Sequence, residues 1–285
     1  MGADAGYLDI DGARIYYEDR GAGECVVFNH GFAMDRRMWD LQFDAFAERF
    51  RVVRYDMRGF GRSDLPVRSY STLDDLHLLM DRLEIEKACL VGSSLSGSLA
   101  IEFALSWPAR VTGLVLAGSN LRGYNHSDAY VKEYLRYREV ARNEGMAAAR
   151  TVMLANPLLR SIARRLELFA SIEAMIRDYS GFHLLKRDPH RVFYPRAIDR
   201  LDEITCPVQI IVGQNDIADL QGVTAKLIRE IRHARHTVLP GVGHIVNMEA
   251  FERFNEIVLD FLDSLSAAPV DDCSIGVCPP LAGHR

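Results

Sequence analysis

Apolar and polar positions along the chain alternate between two periods. Short Val/Ile/Leu-rich runs predict strands at Tyr7 to Ile10, Arg14 to Glu18, Cys25 to Asn29, Val52 to Tyr55, Ala88 to Val91, Val111 to Ala117, Val208 to Val212 and His236 to Leu239. Several carry continuous Val/Ile/Leu runs, which suits a strand covered on both faces of a parallel sheet. Between them lie amphipathic stretches of helical period, such as Leu73 to Leu83 and Phe251 to Leu265. Strand and helix in alternation predict right-handed crossovers and an open, mostly parallel α/β sheet. Asp11-Gly12 separates the first two strands and is a hairpin signal, so the sheet is expected to begin antiparallel.

The alternation stops between about Leu121 and Asp202. That stretch reads as helix throughout, with Tyr130, Tyr134 and Tyr137, and again Leu154, Leu158 and Ile162, at helical spacing. The division that follows is a core of residues 1–120 and 203–265, a helical cap of residues 121–202, and a mobile tail of residues 266–285 rich in Ala, Pro and Gly. The cap carries more Lys and Arg than Asp and Glu, which reads as a solvated helix face ahead of attraction to an acidic substrate.

The chain has 285 residues, 48% of them hydrophobic and 26% charged, which excludes a disordered polymer. A net charge of −5 leaves no basic footprint for nucleic acid. No apolar run reaches the roughly 18 residues of a membrane span, and the N-terminus lacks the pattern of a signal peptide. Five scattered cysteines, Cys25, Cys89, Cys206, Cys273 and Cys278, lack zinc spacing and fit a reducing, cytoplasmic setting.

The chemistry concentrates at predicted strand ends. Val91-Gly92-Ser93-Ser94-Leu95-Ser96-Gly97 joins a strand to an apolar helix through a turn of small residues. Such a turn lifts one side chain, here Ser94, above the sheet edge; a plain helix cap is the alternative. A serine hydroxyl needs a general base, itself oriented by an acid. The strand Val208 to Val212 runs into Gly213-Gln214-Asn215-Asp216, which offers Asp216 as the acid, with Asp219 in reserve. His244, on the loop Pro240-Gly241-Val242-Gly243-His244, offers the base. His30-Gly31-Phe32 closes a third strand, and His30 reads as a residue that holds its loop by hydrogen bonds. Asp56-Met57-Arg58-Gly59-Phe60-Gly61-Arg62-Ser63 lacks the lysine of a phosphate loop and the third glycine of a dinucleotide fingerprint, and reads as a structural turn.

These pieces, in this order, resemble the α/β-hydrolase fold serine hydrolases over about residues 7 to 265. The matching segments are His30-Gly31-Phe32, Asp56-x-Arg58-Gly59-x-Gly61-x-Ser63, Gly92-x-Ser94-x-Ser96-Gly97, Gly213-x-x-Asp216 and Gly243-His244, with Ser96 standing where the motif has glycine. The run Arg37 to Asp40 and the cap's pattern are similar to 3-oxoadipate enol-lactonases and related small esterases. The resemblance implies a mostly parallel eight-stranded α/β-hydrolase sheet with helices on both faces and a helical cap insertion. It implies Ser94, Asp216 and His244 as a catalytic triad, and the backbone N–H groups of Phe32 and Leu95 as an oxyanion hole. It implies cleavage of an ester or lactone of a small to medium apolar or aromatic substrate, with no metal and no organic cofactor. Carbon–carbon bond hydrolases and cofactor-free haloperoxidases share the triad and stay open, as does a ligand receptor with vestigial hydrolysis. Serine at the nucleophile position argues against epoxide hydrolases and haloalkane dehalogenases. The expected partner is a small-molecule substrate, without nucleic acid or membrane, and a homodimer is left open.

Overall fold

A computed structural model describes residues 4–266. Eight strands form one sheet: β1 (Asp4–Ile10), β2 (Ala13–Arg20), β3 (Cys25–Asn29), β4 (Arg51–Tyr55), β5 (Ala88–Ser93), β6 (Val111–Ala117), β7 (Val208–Gly213) and β8 (Arg235–Leu239). Their order is β1-β2-β4-β3-β5-β6-β7-β8. β2 runs antiparallel to both its neighbours, and every other pairing is parallel. The β1–β2 hairpin turns at Asp11 and Gly12, both at positive φ. The most apolar runs fill the middle of the sheet: β3, β5 and β7 are buried at every position, while β8 lies at an edge and is largely exposed.

Helices Asp40–Ala47 and Phe251–Ser266 pack together on one face of the sheet, and Thr72–Arg82 and Leu95–Ser106 pack together on the other. The helix Phe251–Ser266 buries Phe254, Ile257, Val258, Phe261 and Leu262, the stripe that a 3.6-residue period dictates. Leu95–Ser106 is buried almost all round, hence its lack of a polar face. The turn Asp56 to Ser63 is structural. The Asp56 carboxylate accepts from the Arg36 and Arg62 amides, Ser63 Oγ donates to Asp56 O at 2.5 Å, and Arg58 forks onto Asp75 at 2.7 and 2.9 Å.

Between β6 and β7 the chain forms helices Asp128–Asn143, Met146–Leu154, Leu166–Asp178 and Phe182–Leu185, and no β-strand. The expectation of helix throughout fails: residues 121–127 and 179–181 are not helical, and prolines break the pattern in two further places. Pro157 opens a separate short 3₁₀ turn, so Leu154, Leu158 and Ile162 do not share one helix. Beyond Leu185, Pro189 and Pro195 discourage helix, and the chain instead bridges His190 to Tyr70. The tail and its Cys273 and Cys278 lie outside the described residues. Cys25 and Cys89 are buried free thiols, and no described helix is long and apolar enough to cross a membrane.

Candidate active site

Ser94 ends the sharp turn between β5 and the helix Leu95–Ser106. Its backbone sits at φ 53°, ψ −115°, a conformation that costs an L-residue roughly 1–3 kcal/mol. Three main-chain bonds hold it there: Ser94 N–H donates to Ala117 O at 3.0 Å, and Ser94 O accepts from Gly97 N–H at 3.0 Å and Asn120 N–H at 2.9 Å. Glycine is required on both flanks. A Cβ on Gly92 would lie 2.4 Å from Ser96 O, and one on Gly97 would lie 2.0 Å from Ser119 Oγ. Ser96, the departure from the motif, is fully buried and works within the turn. Its Oγ accepts from Ser93 N–H at 2.9 Å and lies 2.6 Å from Asn29 O, tying the turn to the end of β3.

His244 and Asp216 are brought together across the ends of β8 and β7. His244 Nδ1 lies 2.9 Å from Asp216 Oδ2. A carboxylate only accepts, so Nδ1 carries the proton and Nε2 is left with a free lone pair. The second Asp216 oxygen accepts from Ile217 N–H at 2.8 Å. Asp219, the reserve acid, does not meet His244. It accepts from Ser127 N–H and Ser127 Oγ at 2.6 and 2.8 Å, fixing the N-cap of the helix Asp128–Asn143. Glu249 supports the base from below: its two oxygens accept from the amides of Gly243 and Ile245, on either side of His244.

His30 does what a loop-holding histidine does. Its Nε2 accepts from Met57 N–H at 3.0 Å, and its Nδ1–H donates to Gly31 O at 2.8 Å. Both nitrogens are occupied, and complete burial pushes its pKa down. The loop it holds carries Phe32. Among the described residues no acceptor bonds the backbone N–H of Phe32 or of Leu95.

Ser94, His244, Phe32 and Leu95 line one cavity of about 560 Å³, roofed by the helical segment between β6 and β7. Among the described residues no hydrogen bond within 3.5 Å joins Ser94 Oγ to His244; that bond commonly tightens only with substrate in place. The wall is mainly apolar and aromatic. Phe32 packs edge-on against Phe60, Tyr134 and Tyr179, with ring centroids 5.8–6.0 Å apart. Tyr130, Tyr134 and Tyr137, on successive turns of one helix, all reach the cavity. Two histidines of the wall, His183 and His190, are pushed down to about 4 by burial and are neutral at pH 7. Among the described residues no group of three His, Cys, Asp or Glu is disposed to hold a metal ion.

Sequence reasoning missed Asn120, which follows β6, and missed Glu249 as a support of the base. The strand-end position of Asn120 was the available signal, since open α/β sheets build their sites on the carboxyl edge.

The comparisons agree with this architecture. Residues 26–257 match the model of the alpha/beta hydrolase family. A 2-hydroxy-6-oxononadienedioate/2-hydroxy-6-oxononatrienedioate hydrolase of Paraburkholderia phymatum is 30% identical over 273 residues, covering 87% of this chain and 91% of its own. The enol-lactonase of Burkholderia xenovorans LB400 is 26% identical with a TM-score of 0.78, over 90% of this chain and 100% of its own. A thermophilic esterase from Thermogutta terrifontis is 26% identical with a TM-score of 0.76, over 93% of this chain and 99% of its own.

Proposed function

The chain belongs to the alpha/beta hydrolase family, and from that premise we propose a serine hydrolase that cleaves a carboxylic ester or lactone through an acyl-enzyme. One observation carries the reading: a hydroxyl on a strained turn shares a cavity with a histidine whose outer nitrogen is left free by its bond to a buried aspartate. In this reading Ser94 Oγ attacks the substrate carbonyl while His244 Nε2 takes its proton. The N–H groups of Phe32 and Leu95 receive the oxyanion. Donors of this kind are worth roughly 3–4 kcal/mol each when fixed in advance. The imidazolium, stabilised by Asp216, then protonates the leaving alcohol. Water activated by His244 releases the acid and restores Ser94.

The mainly apolar, aromatic cavity suits a small to medium substrate with an apolar or aromatic body. Support for the ester or lactone reading comes from the structural likeness to an enol-lactonase and an esterase. A second reading has its own support: the Paraburkholderia relative is named for hydroxy-oxo-dienedioates, so a carbon–carbon bond beside a ketone is the rival scissile bond. Burst kinetics with a short activated aryl ester, wild type beside Ser94→Ala, test the proposal. A burst followed by steady turnover, lost in the variant, supports an acyl-enzyme esterase. A stoichiometric burst without turnover, together with cleavage of a vinylogous 1,5-diketone, favours the rival.

A further inference from the structure

Beside Ser94, on the loop after β6, Asn120 organises a small polar network that the mechanism above does not use. Its Oδ1 lies 2.7 Å from Leu121 N–H and 2.9 Å from His126 Nε2. The backbone donor fixes which way the amide points, so the opposite end, Nδ2, faces Tyr130 Oη at 3.1 Å. An amide nitrogen of this kind has only protons to offer. Tyr130 Oη is therefore the acceptor in that bond and keeps its own O–H for another partner. Among the described residues none takes it, and Tyr130 lines the cavity.

The phenol is held firmly. The His126 ring stacks on it with centroids 4.2 Å apart. Ser127, which caps the helix bearing Tyr130, is pinned by Asp219. Asn120 itself donates its N–H to Ser94 O at 2.9 Å, so only two hydrogen bonds separate Tyr130 Oη from the nucleophile's backbone. Burial pushes the phenol up to about 12, which keeps it protonated at neutral pH.

Strand order decides what this donor serves. The loop carrying Phe32 follows β3, on one side of Ser94 at the end of β5; Asn120, Asp219 and His244 follow β6, β7 and β8, on the other. In the serine-hydrolase reading the carbonyl oxygen meets the Phe32 N–H, so the group that His244 protonates on departure lies toward β6–β8, the side from which Tyr130 lines the cavity.

Resting on the serine-hydrolase reading, we propose that Tyr130 is a further catalytic residue that donates a hydrogen bond to the leaving-group oxygen of an oxoester or lactone, with Asn120 and His126 as its positioning residues. The C–O bond breaks with its electron pair passing to that oxygen. The proton comes from the His244 imidazolium, and Tyr130 keeps its own. The substrate class this favours has an alkyl oxygen as leaving group, since an alkoxide gains most from a second donor. A thioester sulfur, a weak acceptor, gains little.

The test is Tyr130→Phe, which retains the ring, assayed on an oxoester and a thioester with the same acyl and alkyl groups, and on aryl esters of graded leaving-group acidity. The oxoester kcat/KM is expected to fall ~10- to 100-fold, and the thioester value less than ~3-fold. The loss should shrink as the leaving group becomes more acidic. Both substrates are read in one sample, so a change in the folded fraction cancels from their ratio. Equal losses on both substrates, or no loss on the oxoester, overturn the role of Tyr130. Ser94→Ala is run alongside: if it keeps full ester turnover the serine-hydrolase reading itself fails, whatever Tyr130→Phe does.

Discussion

The loops after β3 and β8 each place a buried histidine at the carboxyl edge of the sheet, and the two histidines do opposite things. His30 spends both ring nitrogens on the backbone, one accepting from Met57 and one donating to Gly31. His244 spends one on Asp216 and turns the other toward a cavity shared with Ser94. Residue type, burial and strand-end position are alike in both. What separates a scaffold histidine from a candidate base is which lone pair is left over, and that depends on neighbours brought in from elsewhere in the chain.

The largest test of this contrast is His244→Gln. It should lower kcat by ~10⁴- to 10⁶-fold, as loss of a triad member does elsewhere, with little change in the denaturant midpoint. A loss below tenfold would break the comparison at its centre. Next, Asp216→Asn should cost ~10⁴-fold in kcat by releasing the wrong tautomer, measured on the same ester. His30→Ala should act mainly on stability. It leaves the Met57 N–H unpaired beside a void, and Gly31 O with only the Met34 N–H as donor, for a loss of about 2–4 kcal/mol in urea unfolding.

Acid should sharpen the same contrast. His183 and His190 sit at about 4 in the folded chain against an unfolded value of roughly 6.5, and His30 is likewise lowered by burial. The unfolded chain therefore binds more protons between those values. Stability is full above about pH 6.5 and falls as pH drops toward 4, by up to about 1.4 kcal/mol per unit for each histidine. Buried Glu102, pushed up to about 7, has the opposite dependence over this range. The histidine part is therefore read as the difference between wild type and a His183→Gln/His190→Gln variant in unfolding curves at pH 7 and pH 5; an unchanged pH dependence in the variant would contradict the burial of these rings. The smallest effect belongs to Asp219→Asn. Activity should stay within tenfold of wild type, while weakening of the Ser127 cap costs about 1 kcal/mol.

Much of this was legible one residue at a time. The strand runs are legible nearly to their ends, because a strand buried on both faces is mostly apolar, its few polar positions such as Gln209 being hydrogen-bonded. Ser94 was legible because the crowded turn around it tolerates only small neighbours, and the Gly92 and Gly97 contacts are that constraint made visible. Sequence put Asp216 ahead of Asp219, its reserve, because it falls just past the strand end. Asp219 lies three residues on, in the first turn of the helix Ala218–Glu230, and the contacts with His244 and Ser127 that distinguish the two belong to the fold. The segment between β6 and β7 was harder still. Proline effects beyond Leu154 and Leu185 override an apparent helical period, and the three tyrosines of one helix line the cavity while Tyr137 is also buried in the apolar core.

The sequence by itself determined the alternation of strand and helix, the sharp turn at Ser94 and the set of residues able to act as base and acid. Those follow from local sterics, side-chain period and intrinsic acidity, which neighbours along the chain suffice to express. Tertiary structure decided which histidine keeps a free lone pair, which aspartate faces it, why a serine replaces glycine at Ser96, and that Tyr130 keeps an unspent proton in the cavity that Ser94 lines. Each is a question of which donor meets which acceptor across tens or hundreds of residues, and hydrogen bonds are short and directional, so only the folded chain can answer it.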